Sequence, residues 1–148
     1  EPLEDLVGPE MMHSVLAFAA MYVGESQTMT SEAAVLGTPA LKCNTFTGRL
    51  SIPNELERKY GLCYAYQPSE FDTMMIKIDE LLAMPDLKGE FQRRRQVMLG
   101  EKIDVTEFLA WFVEHYPESV SEVHEKGENI FDRWMGVGKD MSEEHLSI

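Results

Sequence analysis

One short segment carries the side chains and backbone groups best suited to chemistry. Ser26, Gln27, Thr28 and Met29 follow an apolar run and begin a short helix, and Glu32 comes about one turn later. The first N–H groups of a helix lack partners inside it and lie at the positive end of its dipole, so they form a site for anions. A carboxylate one turn further on can accept hydrogen bonds from a sugar diol. A phosphate at the helix start and a diol at Glu32 together indicate a nucleotide ligand.

Each of these residues also has a purely structural interpretation. Ser26, Thr28 and Thr30 belong to types that commonly cap helices. Glu32 could simply complement the helix dipole. His13 has the chemistry of a general base, but it lies on a helix before the first strand, which favours a structural role. The sequence contains no metal-ligand spacing, Ser-His-Asp arrangement or Gly-x-x-x-x-Gly-Lys loop, so we assign no metal and no catalytic residue.

Alternating strands and helices must position this segment. Apolar runs predict strands at residues 21–24, 39–44 and 62–66, with helices at 28–36 and 54–60 between them. This alternation predicts an α/β fold with a parallel sheet flanked by helices. Asn44 and Arg49 follow the second strand at the carboxyl edge of the sheet, where ligands bind in open α/β sheets. Both could contact a sugar or a phosphate, although an exposed loop arginine is an equal alternative for Arg49.

The rest of the chain has helical periodicity. We predict an α/β half-domain over residues 1–85 and a helical C-terminal extension over residues 86–148, whose last helix runs from Glu118 to Trp134. The run Arg93 to Arg95 is interpreted as a solvated helix face because acidic residues surround it. Phe108, Trp111 and Phe112 are expected in the core of the extension.

Composition limits the partners and the compartment. The 148 residues carry a net charge of −13, which argues against a nucleic-acid partner. No apolar run is long enough to predict a membrane span. The two cysteines, Cys43 and Cys63, both lie in predicted strands and indicate buried thiols in a reducing compartment, so we expect a cytoplasmic protein. Three strands are few for an independent α/β domain. We therefore expect a truncated N-terminus and an uncovered sheet edge that favours a homodimer.

The helix-start segment resembles a known signature. GT-B glycosyltransferases and their relatives, such as peptidoglycan N-acetylglucosaminyltransferase and UDP-N-acetylglucosamine 2-epimerase, carry it in the C-terminal domain. Its parts are a hydroxyl-rich loop, a Ser-Glu pair, a helix of small residues and Gly-x-Pro before a strand. Here they are Ser26 to Thr30, Ser31-Glu32, Ala33 to Leu36 and Gly37-Thr38-Pro39.

A wider resemblance covers residues 9–82. An uncharacterised prokaryotic family of glycosyltransferase-like proteins is similar to this chain in the helix before the first strand, in the Gly-Glu-Ser loop and in a later helix. The matching residues are Met11-Met12-His13, Leu16 to Ala19, Gly24-Glu25-Ser26 and Glu55 to Leu62.

The resemblance implies a partial Rossmann-like sheet and a nucleotide-sugar donor, for example a UDP-sugar. It implies a diphosphate at Ser26, Gln27, Thr28 and Met29, and a ribose at Glu32. No cofactor or metal is implied, and the acceptor and the catalytic base would come from a missing N-terminal domain. Many relatives have Gly-Gly or Ser-Gly where this chain has Ser26-Gln27, and a side chain there limits how closely the backbone can approach phosphate.

Two alternatives stay open at this stage. A sugar-nucleotide 2-epimerase of the same fold would use the same phosphate and ribose contacts, and fold alone does not separate it from a transferase. A non-catalytic α/β binding or assembly module would keep the scaffold without the ligand. The Gln27 side chain and the acidic composition favour this module slightly.

Overall fold

The computed structural model describes residues 8–45 and 51–136, and it divides the chain into two compact units, Glu1–Arg95 and Gln96–Ile148. The division falls inside a helix, ten residues beyond the boundary predicted at 85/86. The first unit contains the sheet. Its strands are β1 (Tyr22–Gly24), β2 (Ala40–Cys43) and β3 (Cys63–Tyr66), and its helices are α1 (Met12–Phe18), α2 (Gln27–Val35), α3 (Ser51–Arg58), α4 (Phe71–Leu82) and the first part of α5 (Leu87–Gly100).

The three strands form one parallel sheet in the order β1-β2-β3. Ala40 of the central strand pairs with Tyr22 on one side and with Cys63 on the other. Each observed strand lies within the range predicted for it. The prediction of an α/β fold with a parallel sheet and flanking helices is therefore confirmed.

Small residues let α2 pack closely against the sheet. Ala33 and Ala34 of α2 are fully buried, as are Ala40 and Leu41 of β2. The helix ends before Gly37, which adopts a φ of +75° that L side chains rarely tolerate. The chain then enters β2. The carboxyl end of β2 lies at the same edge of the sheet as the start of α2.

Polar side chains of α5 satisfy carbonyl groups at the ends of two other helices. Gln92 Nε2 donates to the carbonyl of Leu36 at 2.9 Å, and Arg95 Nε donates to that of Val35 at 2.7 Å. Arg94 donates to the carbonyl of Gly61, which follows α3, at 2.8 Å. The contacts of Gln92 and Arg95 supply the partners that the last carbonyls of α2 lack within the helix itself.

The expectation that the arginine run is a solvated face is therefore wrong for two of its three members. Arg93 does lie exposed, in ion pairs with Asp86 and Glu90. Arg94 and Arg95 instead donate hydrogen bonds to the carbonyls of Gly61 and Val35. Helical spacing explains the difference, because consecutive residues on a helix point about 100° apart and cannot all face solvent when one side packs.

The second unit is built around aromatic rings. It contains the end of α5, α6 (Val105–Glu114), α7 (Glu118–Lys126) and a 3₁₀ segment, Gly127–Trp134. The ring of Phe108 lies 5.2 Å from those of Phe131 and Trp134, and about 6 Å from those of Trp111 and Phe112. Phe108, Trp111 and Phe112 are half-buried, so this cluster is only partly shielded from solvent.

The predicted single helix from Glu118 to Trp134 is corrected by the structure. Regular α-helix ends at Lys126, because Gly127 adopts a φ of +55°. The chain continues as the 3₁₀ segment, which buries Ile130 and Trp134. Glycine permits this change of direction, and the burial of two large side chains stabilises it.

Candidate functional site

The start of α2 lies at the carboxyl end of β1, as predicted. Ser26 is the N-cap, and its Oγ accepts a hydrogen bond from the N–H of Met29 at 3.3 Å. The structural role of Ser26 as a cap is thus present. The N–H groups of Gln27 and Thr28 have no acceptor among the described residues. Two backbone donors at the positive end of the helix therefore remain for an anion.

The side chain of Gln27 points towards the sheet. Its Oε1 accepts a hydrogen bond from Lys42 Nζ at 2.5 Å. Lys42 is in the central strand and only 1% exposed. The Gln27 side chain is therefore held beneath the helix start by a buried lysine.

Asn44 joins the same edge of the sheet. Its Nδ2 donates to the carbonyl of Glu25 at 2.8 Å, and its backbone N–H donates to the carbonyl of Tyr66 at 3.1 Å. These bonds tie the loop after β1 to the ends of β2 and β3. Arg49, the other predicted contact of this edge, lies outside the described residues.

Glu32 lies one turn further along α2 than Thr28, away from the helix start. It faces α1, where one carboxylate oxygen lies 3.6 Å from Nε2 of His13. Both side chains line a cavity of about 310 Å³ whose remaining wall is Ser31, Val35 and Leu36. The structure thus brings Ser26 to Met29 together with Asn44, and it places Glu32 in the wall of an adjacent cavity between two helices.

Burial shifts the pKa values of ionisable groups near the helix start. The pKa of Lys42 is lowered overall, because the effect of burial exceeds the opposite effect of the nearby Cys63 and Glu57. Burial likewise raises the pKa of Tyr22, and it raises that of Cys63 to about 12. Glu57 is fixed in position, because its Oε1 accepts a hydrogen bond from the N–H of Ala65 at 3.0 Å.

Sequence reasoning missed two features of this site. The sequence analysis assigns Lys42 no role beyond its place in a strand. A lysine within an apolar run of a central strand is nevertheless a signal, since lysines are rarely buried without a partner. The approach of His13 to Glu32 had no local signal, because the two residues are on different helices.

In residues 8–45 and 51–136, no group of three or more His, Cys, Asp or Glu side chains could hold a metal ion. Over the same ranges, no helix combines the length and the apolar character needed to cross a bilayer.

Comparison with known proteins identifies no relative. No model of a protein family matches this chain, and no curated protein or solved structure is significantly similar to it.

Proposed function

We propose that the first unit is the nucleotide-sugar-binding part of a GT-B-like glycosyltransferase, with a partial Rossmann-like sheet. One observation carries this proposal. The start of α2 offers two backbone N–H groups that find no acceptor among residues 8–45 and 51–136, and the same helix holds a carboxylate one turn later at the edge of a cavity. The resemblance of residues 24–39 to the GT-B signature supports the same interpretation.

The donor would lie along the first turns of α2. Its diphosphate would accept hydrogen bonds at Ser26, Gln27, Thr28 and Met29, where negative charge grows as the glycosidic bond breaks. Fixed amide dipoles stabilise such charge without reorganising.

The nucleoside would occupy the neighbouring cavity. Thr28 and Glu32 are four residues apart and so share one face of α2. Glu32 would accept hydrogen bonds from the ribose hydroxyls, beside the mostly apolar wall formed by Val35 and Leu36. Asn44 and Arg49 would contact the sugar or a phosphate, and an N-terminal domain would supply the acceptor site and the catalytic base.

Titration with UDP tests this proposal. We expect isothermal calorimetry to detect binding of UDP and of pyrophosphate to the intact chain. Glu32→Gln should weaken UDP about tenfold, because it removes a charged hydrogen-bond acceptor worth about 1.5–3 kcal/mol, and it should leave pyrophosphate unchanged. Glu107→Gln, the same charge change on an exposed residue of the second unit, is the matched control.

A chain that does not bind UDP would instead be interpreted as a non-catalytic module. Absence of UDP binding at millimolar concentration would contradict the proposal, as would equal loss of affinity in both variants. Transferase and epimerase activities are separated by analysis of the products that a protein including the N-terminal domain makes from a UDP-sugar.

A further inference from the structure

We infer that Lys42 is the cation that binds the diphosphate, an inference that rests on the proposed function and adds a residue to its site. Lys42 is 99% buried in the central strand, at the level of Gly24 in β1 and Ala65 in β3. Its ammonium group reaches the first residue of α2 through the Gln27 side chain. A buried positive charge thus lies directly beneath the helix start.

The hydrogen bonds of this ammonium group are incomplete. A lysine ammonium has three donors. Among the described residues, only Gln27 Oε1 accepts from it. The other end of the same amide is also unsatisfied, because Gln27 Nε2 is buried and has no partner. Buried polar groups in folded proteins are nearly always hydrogen-bonded, so this pair of side chains points to an additional acceptor.

Electrostatics indicates that the additional acceptor is an anion. The positive end of the α2 dipole and the Lys42 ammonium group converge on the same small volume, with only a neutral amide between them. Glu57 and Cys63 lie close enough to affect Lys42. The Glu57 carboxylate is bonded on the β3 side, to the N–H of Ala65.

A diphosphate satisfies all of these groups together. When a phosphate oxygen takes the place of Gln27 Oε1, it accepts from Lys42 and from the free N–H groups at the start of α2. Gln27 then rotates away, and its Nε2 gains an acceptor on the same ligand. The sheet in this way supplies a positive charge to the leaving diphosphate, opposite the fixed amides of the helix.

The test measures binding of pyrophosphate and UDP to the intact chain and to Lys42→Met, which keeps most of the apolar stem of the side chain and removes its charge. We expect affinity for both probes to fall by about tenfold to a hundredfold, the loss of one charge-assisted hydrogen bond in a buried site. Lys88→Met removes a positive charge from the exposed surface of the same unit and should leave both affinities unchanged. Thermal unfolding followed by circular dichroism checks that each variant is folded.

The outcomes separate this inference from the proposed function. If the wild-type chain binds neither probe, the proposed function fails and the inference fails with it. If the wild type binds UDP and Lys42→Met binds it equally well, the function stands and the role of Lys42 is overturned.

A second variant covers the case in which Lys42→Met does not fold. Gln27→Glu places a carboxylate against the lysine and should keep the fold while weakening pyrophosphate at least tenfold. Undiminished affinity in that variant would overturn the role of Lys42.

Discussion

Two residues of the sheet, Lys42 and Cys63, have unusual surroundings for their type. Lys42 in β2 is almost fully buried, and Cys63 in β3 is not exposed at all. Glu57 influences both groups. Burial acts in opposite directions on the two acids, because it disfavours the charged form of each. The ammonium group therefore loses its proton more readily, whereas the thiol holds its proton more tightly.

The Cys63 thiol should make stability fall at alkaline pH. Its pKa is 9.0 in a solvated reference state and about 12 in the folded chain. Between these values the unfolded chain releases the proton and the folded chain retains it, so the free energy of unfolding decreases as pH rises. The contribution of the thiol is fully present below pH 9.

Replacing this thiol should remove that part of the pH dependence. Cys63→Val keeps the position apolar and removes the ionisable group. Urea denaturation gives the free energy of unfolding at about pH 8 and at about pH 10.5. Between these two pH values, we expect this free energy to fall by about 1–2 kcal/mol more in the wild type than in Cys63→Val. Cys43→Val serves as the matched control and should behave like the wild type. Equal losses in the wild type and Cys63→Val would rule out this account.

At the scale of secondary-structure elements, α5 holds the first unit together by binding the ends of other helices. Gln92 and Arg95 donate to the last carbonyls of α2, and Arg94 donates to the carbonyl after α3. The close approach of Gln92 to the end of α2 is possible because residue 37 is glycine. A Cβ atom at Gly37 would lie 2.5 Å from Gln92 Nε2.

Gly37→Ala should therefore destabilise the first unit. The positive φ alone costs about 1–2 kcal/mol for a residue with a Cβ atom, and displacement of Gln92 adds the loss of its hydrogen bonds. We expect urea denaturation followed by circular dichroism to show a loss of at least about 1 kcal/mol.

Gly100→Ala is the control for Gly37→Ala. A Cβ atom at Gly100, the last residue of α5, would meet no heavy atom within 4 Å. Alanine there should be neutral or stabilise by up to about 1 kcal/mol, because it is the better helix former. Similar losses in both variants would contradict our account of Gly37.

The whole molecule contains two units with distinct cores. The first is a sheet with helices, whereas the described part of the second consists of helices around an aromatic cluster. Both tryptophans of the chain, Trp111 and Trp134, lie in the second unit. Tryptophan fluorescence therefore reports on that unit, whereas binding of UDP would report on the first.

Phe108→Ala should separate these two signals. Its ring contacts four other aromatic rings, so we expect its removal to lower the stability measured by fluorescence by about 1–3 kcal/mol. Affinity for UDP should not change. Val113→Ala, a 72%-exposed position on the same helix, should change stability by less than about 0.5 kcal/mol. A loss of UDP affinity in Phe108→Ala, or an equal effect of Val113→Ala, would contradict the assignment of these signals to separate units.

The sequence by itself determined the order of the elements and the place of the helix start. Apolar runs located all three strands, and the helix predicted at 28–36 matched α2 to within one residue at each end, because caps and periodicity depend on neighbouring residues. The parallel sheet followed from the alternation of strands and helices. Local signals failed at Gly127, where a single glycine ended a helix whose periodicity continued beyond it.

Only the tertiary structure decided what the polar side chains contact. Gln27 bonds Lys42 across fifteen residues, Glu32 meets His13 on another helix, and Arg95 reaches back sixty residues to the carbonyl of Val35. Such pairs form because the sheet and helices pack around a common core, which brings distant parts of the chain within hydrogen-bond range. A burial-driven core is non-directional, so no local pattern in the chain states which polar groups it will bring together.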